Sequence, residues 1–375
     1  MDKNTIAYYV SSHGFGHLTR SLALIEYILD TTDHSFYICS GKNHIEFAKI
    51  YLAAYEGRVE YSEFVVDVGI VNYDNSLEVD VEATNRVLYK MLETYEPRAC
   101  EEAEKLTKAG VRLILNDVSA FPCLISQKTG IKVISIGNFT WVDQYQCLGA
   151  AQDAVDRLKE MYGYCDCFIA YDCSLHMVGA KEGTVFRSDY LTSRPLVESR
   201  IASIKQTYTQ QYMEKFGKQP ASFMYVSVGV SAYIPEINIT NFEGVVFYTN
   251  GITFDPDKYQ NILFVLLPFD IKDSQSFVAA SDLVIAKAGW STSAEGVVAH
   301  AKTMLIERPG VDDDMNTINT LKDKGLATSL TADEVIHLDY KKLYERAITE
   351  IDLDKLSKVK NDVPELCERI LSYID

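Results

Sequence analysis

The chain has 375 residues and carries 53 acidic against 36 basic side chains, a formal charge of −17 that repels phosphate backbones. No segment interleaves Lys and Arg with aromatics to make a local exception, so nucleic acid is excluded as a partner. The length exceeds one comfortable hydrophobic core, which predicts two domains. Hydrophobic residues make up 47% and charged residues 24%, without an apolar run long enough to span a bilayer or a signal-like start. A cytoplasmic protein with at most peripheral membrane contact is expected. The eight scattered cysteines predict free thiols, and the group Cys165, Cys167 and Cys173 lacks the C-x-x-C spacing of a zinc site.

The first element is a strand, Ile6-Ala7-Tyr8-Tyr9-Val10, running into Ser11-Ser12-His13-Gly14-Phe15-Gly16-His17 and then into an amphipathic helix expected to begin near Leu18. Gly14 and Gly16 permit positive φ and close backbone approach, and a helix start offers unpaired N–H groups to an anion. The dinucleotide fingerprint fails, however. Thr19 occupies its third glycine position, and the second strand ends in Ser40-Gly41 where a ribose-binding carboxylate is needed. What remains is a glycine loop with two histidines capable of proton chemistry, followed by Arg20.

Strands are expected over 5–10, 35–39, 58–65, 111–115, 132–136 and 167–170, with helices between them. Leu18, Leu22, Ile25 and Leu29 form one apolar stripe on the first helix. Such alternation implies a parallel sheet with helices on both faces and ligands at the carboxyl ends of the strands. Asn116-Asp117 follows the fourth of these strands at that same edge, where Asp117 is either a partner for an imidazole or a cap for the helix near Phe121. Arg20 and His13 have bland alternatives too, in covering a helix surface and in tying the loop.

Residues 196–220 are polar, without strand runs, and read as a helical or loop linker between a domain at 1–195 and another at 221–352. The second domain repeats the pattern, with strands over 223–227, 245–248, 262–266, 283–286 and 303–306 and helices near 274–280, 292–300 and 316–324. Its strongest signal is Leu283-Val284-Ile285-Ala286-Lys287-Ala288-Gly289-Trp290-Ser291-Thr292-Ser293-Ala294-Glu295, again strand, glycine turn and helix. A diphosphate fits this helix start, with Gly289 for close approach, Ser291 and Thr292 as hydroxyls and Lys287 as charge, while Glu295 suits both hydroxyls of a ribose. Thr292-Ser293-Ala294-Glu295 is equally a literal capping box. Residues 353–375 are apolar at Leu356, Val359, Val363, Leu366, Ile370 and Leu371, with Pro364 expected to break or kink them.

Nearly the whole chain resembles the inverting, two-domain GT-B glycosyltransferases, especially UDP-sugar transferases related to the lipid II-forming N-acetylglucosaminyltransferase. Gly289, Thr292 and Glu295 fall on that family's diphosphate and ribose positions, and Pro309 on its loop proline. Ser227 and Gly229, in Phe223-Met224-Tyr225-Val226-Ser227-Val228-Gly229-Val230, match the strand that approaches the diphosphate. Lys287 replaces the usual Arg, Asn316 stands where Gln is typical for sugar contact, and His300-Ala301-Lys302 replaces Gly-x-Pro. The string His13-Gly14-Phe15-Gly16-His17 with Arg20 is similar to the glycosyltransferase-like half of plant arabinose kinases.

The resemblance implies an α/β GT-B architecture of two Rossmann-like domains facing across a cleft, with the 353–375 helices crossing back to the N-terminal domain. It implies a hexosyl-type glycosyltransferase: a nucleotide-sugar donor, UDP first, in the C-terminal domain, and a small-molecule, glycan or lipid-linked acceptor in the N-terminal one. His17 is then the base on the acceptor hydroxyl and Asp117 its orienting partner. Asp313 and Asp314 contact the donor sugar from the loop after Pro309, and neither a metal nor another resident cofactor is expected. A nucleotide-sugar 2-epimerase and a non-catalytic sugar-nucleotide-binding module share the fold and are the alternatives.

Overall fold

The computed structural model describes residues 4–71, 73, 79–229, 234, 236–268 and 271–374. Val230 and part of the 68–77 loop lie outside the described residues. The chain folds into two compact units, Met1–Tyr190 with Asp362–Asp375, and Leu191–Asn361.

The first unit runs β1 (Thr5–Val10), α1 (Phe15–Thr31), β2 (Ser35–Ser40), α2 (Lys42–Tyr51), β3 (Val59–Glu63), α3 (Val81–Ala109), β4 (Leu113–Asp117), α4 (Phe121–Thr129), β5 (Lys132–Gly137), α5 (Trp141–Cys147), α6 (Gln152–Tyr162), β6 (Cys167–Ala170) and β7 (Val185–Arg187). β1 and β4 are buried along their whole length, as strands covered by helices on both faces must be. The sheet order is β3-β2-β1-β4-β5-β6-β7, all parallel, so the winding direction reverses between β1 and β4. In such sheets the chains leave in opposite directions at the reversal and open a crevice beyond the strand ends. Val10 pairs with Asp117, so the last residues of both strands meet at that point.

The second unit begins at Leu191, earlier than the expected boundary. It contains α7 (Glu198–Phe216), β8 (Ser222–Ser227), β9 (Asn238–Thr240), β10 (Gly244–Tyr248), β11 (Ile262–Leu266), α8 (Ser274–Ala279), β12 (Leu283–Lys287), α9 (Trp290–Val298), β13 (Lys302–Ile306), α10 (Asp312–Lys324), β14 (Thr328–Leu330), α11 (Ala332–Ile336), β15 (His337–Asp339), α12 (Tyr340–Glu350) and α13 (Leu353–Leu356). Its main sheet is β11-β10-β8-β12-β13-β14, also parallel, with the reversal between β8 and β12.

Three expectations about chain organisation are corrected. Residues 196–220 are not a linker: α7 buries Ile204 and Tyr212 in the core of the second unit, and Gly217 ends it at φ 71°. The segment 353–375 does not move as one piece to the N-terminal domain, because α13 stays in the second unit. Only the final helix, α14 (Val363–Leu371), joins the first unit, where it packs on α1 and the Cys367 thiol faces the Leu24 carbonyl at 3.7 Å. Pro364 opens that helix rather than breaking one, since a first-turn N–H has no intrahelical partner to lose.

Candidate active site

Helix α1 starts at Phe15, three residues before the expected position, with Gly14 as its N-cap at φ 90°. Gly16 and His17 therefore lie in its first turn, directly beyond the carboxyl end of β1. The buried His44 on α2 stacks on Phe15 at 4.5 Å between ring centroids, and its Nε2 lies 3.1 Å from the Gly14 carbonyl.

Asp117 is the last residue of β4 and fully buried. His17 Nδ1 lies 2.7 Å from its Oδ1, Arg20 Nε donates to its Oδ2 at 2.7 Å, and Arg20 Nη2 donates to its Oδ1 at 2.7 Å. Burial works against the charge on Asp117, but the Arg20 guanidinium and His17 overcome it and lower the carboxyl to about 2. Nδ1 faces two partners of opposite demand: the ionised carboxylate at 2.7 Å only accepts and calls for Nδ1–H, whereas Arg20 Nη2 at 3.0 Å only donates and calls for a lone pair there. A proton on Nδ1, which leaves the lone pair on Nε2, satisfies the shorter contact. Neither bland alternative describes these residues. Helix α4 is capped by Ala120 without a side-chain bond, and Arg20 is 3% exposed rather than spread over a helix surface.

The backbone around Asp117 is built to aim it. The Ser119 N–H returns to the Asp117 carbonyl at 2.9 Å, closing a γ-turn with Val118 at φ 54°, a left-handed conformation costly for a β-branched residue. Gly137, ending the neighbouring β5, leaves room for this turn: a Cβ there would stand 2.6 Å from Val118 Cγ1. Beyond it, Asn138 accepts from Arg20 Nη1 at 2.7 Å, and Phe139 meets the His17 ring edge-on at 5.9 Å. Tyr171 lies under the guanidinium, 5.3 Å from its ring centroid.

His13 belongs to an adjoining cluster. Its ring meets Trp141 edge-on at 5.5 Å, and Gly69 packs so closely that an added Cβ would overlap the imidazole. Trp141 Nε1 donates to Asp67 Oδ2 at 2.8 Å and Ser11 Oγ to Asp67 Oδ1 at 2.9 Å. Burial, aided by the charge on Asp117, pushes Asp67 up to about 7 against these donors. Asp67, Trp141 and Asn138 were missed in the sequence. A lone carboxylate in the apolar run Val65-Val66-Asp67-Val68 was the available signal for the first, and position just beyond a strand end for Asn138.

In the second unit the predicted residues gather at the carboxyl ends of β8, β12 and β13. Register pairs Ala286 with Ser227, setting the ends of β8 and β12 side by side at the reversal. Ser227 accepts from Thr249 Oγ1 at 3.0 Å, and Gly229 adopts φ 73°, a conformation glycine takes without strain. Lys287 ends β12 and forms no ion pair among the described residues. Gly289 caps α9 at φ −61°, and a Cβ there would meet only open space. Ser291 and Thr292 lie in the first turn of α9.

The capping-box reading of Thr292 and Glu295 is overturned, since α9 starts at Trp290 with no side-chain cap. Glu295 pairs instead with Arg194, Nη2 to Oε1 at 2.9 Å. Asp313 and Asp314 are not in a loop: with Asp312 they form the first turn of α10, where negative charge complements the helix dipole, and Asn316 follows one turn on. Asp314 is buried against Arg308, 2.9 Å away.

Both units thus place their candidate residues at a sheet reversal. No family model matches the chain. Solved structures match it end to end: Arabidopsis thaliana UGT89C1 complexed with UDP-L-rhamnose, with a TM-score of 0.63 at 12% identity over 100% of both chains, and CalG4, the calicheamicin glycosyltransferase, with 0.59 at 14% identity over 100% of this chain and 99% of that one. The glycosyltransferase of kitacinnamycin matches with 0.60 at 11% identity over 99% of both. The chain has the GT-B fold.

At these identities the likeness is one of fold. Among curated proteins, the L-arabinokinase of Arabidopsis thaliana is 22% identical over 361 residues, 92% of this chain and 32% of that protein. The chain therefore spans about a third of the length of this relative. Among the described residues, no helix of this GT-B chain is long and apolar enough to cross a membrane.

Proposed function

We propose that the protein is an inverting glycosyltransferase of hexosyl type that uses a UDP-sugar and a hydroxyl acceptor. The observation that carries this reading is the 2.7 Å contact between His17 Nδ1 and Asp117, made at the reversal of the first sheet. With Nδ1–H held by the carboxylate, His17 Nε2 takes the proton from the acceptor hydroxyl as the oxygen attacks the anomeric carbon. The bond from that carbon to the diphosphate oxygen breaks, the electron pair leaves with UDP, and the configuration inverts. Asp117 stabilises the imidazolium formed in this step.

The donor is assigned to the second unit. Amides at the start of α9, the Ser291 and Thr292 hydroxyls and Lys287 meet the diphosphate as its charge grows, Ser227 and Gly229 approach it from β8, and Glu295 accepts from the ribose. Asp313, Asp314 and Asn316 are assigned to the donor sugar, with Arg308 holding the Asp314 carboxylate in place. His13, Gly14, Gly16 and Arg20 stand on the acceptor side, for a small molecule, a glycan or a lipid-linked acceptor. The sugar nucleotide is a co-substrate, and the reading needs no metal or resident cofactor. Eight free cysteines support a cytoplasmic location.

The test incubates the protein with UDP-sugars, with and without an acceptor panel, and resolves nucleotide and sugar products. Acceptor-dependent UDP release with a product of opposite anomeric configuration is expected. A new sugar isomer formed from the UDP-sugar alone would instead identify a 2-epimerase, and donor binding without any turnover a binding module.

A further inference from the structure

Arg194 lies between β7 and α7, in a stretch whose sequence gave no sign of chemistry, yet it is 1% exposed and its guanidinium is held on three sides. Nη1 donates to the Lys272 carbonyl at 2.6 Å, Nη2 to Ser274 Oγ at 2.8 Å, and both Nη2 and Nε approach Glu295 Oε1, at 2.9 and 3.3 Å. The pair can be compared with Arg20 and Asp117 in the same chain. There the guanidinium fork engages both carboxylate oxygens, the arrangement that satisfies a buried ion pair most fully. Here both nitrogens converge on one oxygen, and Glu295 Oε2 receives no hydrogen bond among the described residues, although Glu295 is only 6% exposed.

Oε2 has no donor from the described protein groups and is not sealed off from solvent, so a ligand hydroxyl can reach it and take the place of water there. The side-on pairing fixes the carboxylate plane and keeps Oε2 open, on the helix that follows β12 at the reversal of the second sheet.

We infer that Arg194 is a positioning residue for nucleotide recognition: it holds Glu295 through Oε1 so that Oε2 accepts from the ribose hydroxyls of the donor. The inference rests on the donor assignment made above. It makes the preference for a ribose diol over a deoxyribose a property of the Arg194–Glu295 pair and not of Glu295 alone.

Calorimetric titration with UDP and with 2′,3′-dideoxyuridine diphosphate tests it, on the full chain, in the wild type, Arg194→Lys and Glu295→Gln. The wild type is expected to prefer UDP by about tenfold or more, the worth of a hydrogen bond to a charged group. Both variants should lose most of that preference while their affinity for the dideoxy nucleotide stays within about twofold, the difference between the two ligands isolating the hydroxyl contacts from the rest of the site. Thermal melts of both variants identify the folded protein used. If the wild type binds neither nucleotide, the donor assignment falls and the inference with it. If the wild type prefers UDP and Arg194→Lys keeps that preference, or weakens both nucleotides equally, the inference alone is overturned.

Discussion

At the scale of single residues, two buried carboxylates in the first unit are driven in opposite directions by their neighbours. Asp117 has Arg20 and His17 against it and stays ionised, with its carboxyl lowered to about 2, whereas Asp67 has only neutral donors and burial takes it up to about 7. The sign for Asp67 follows from linkage. Its folded-state value lies above the unfolded one, so the stability it contributes is complete below pH ~4 and is lost as pH rises towards ~7. Replacing it with Asn removes this dependence. Asp67→Asn should gain about 2.5–3 kcal/mol on the wild type between pH 5 and pH 8, read from urea unfolding at both pH values. A variant that keeps a constant stability difference across that range would contradict the assignment. Of these residues, His17 and Asp117 were legible because glycines and a strand end mark their positions in the chain. Arg194 was not: an Arg before a Pro in a polar stretch looks the same whether it faces water or a buried glutamate 101 residues away.

At the scale of elements, β1 and β6 were legible because two-sided burial leaves continuous apolar runs, and they begin and end where the sequence places them, as does the half-buried edge strand β11. Helix starts were not. Helix α1 and helix α9 both begin earlier than the sequence places them, since a glycine N-cap leaves no side-chain signature. The apolar pattern after Leu353 told that a surface was needed, but not that the chain divides there between two units. Helix α14 supplies a test at this scale. Leu366 and Ile370 are fully buried on the face it presents to the first unit, so Leu366→Ala should cost about 2–5 kcal/mol in chemical unfolding. A loss under about 1 kcal/mol would show that the helix is not part of that core.

At the scale of the whole molecule, one architectural rule used twice explains where the candidate residues lie. Parallel sheets that reverse their winding direction leave a crevice at the reversal, between β1 and β4 in one unit and between β8 and β12 in the other. The first crevice holds a histidine, its carboxylate and a guanidinium; the second holds a glycine-capped helix start, a lysine and a tethered glutamate. The proposed division between proton chemistry and nucleotide binding comes from the sequence, where the first glycine loop lacks the carboxylate of a nucleotide site and the second has one. The acceptor could not, since it depends on the shapes of loops that no periodic pattern describes. The central claim is that His17 is the base, and UDP release from a UDP-sugar in the presence of an active acceptor tests it most directly, compared between wild type and His17→Ala with donor affinity measured alongside. A fall in kcat of about 10²–10⁴ with donor affinity within about twofold is predicted. Turnover unchanged in His17→Ala would contradict it.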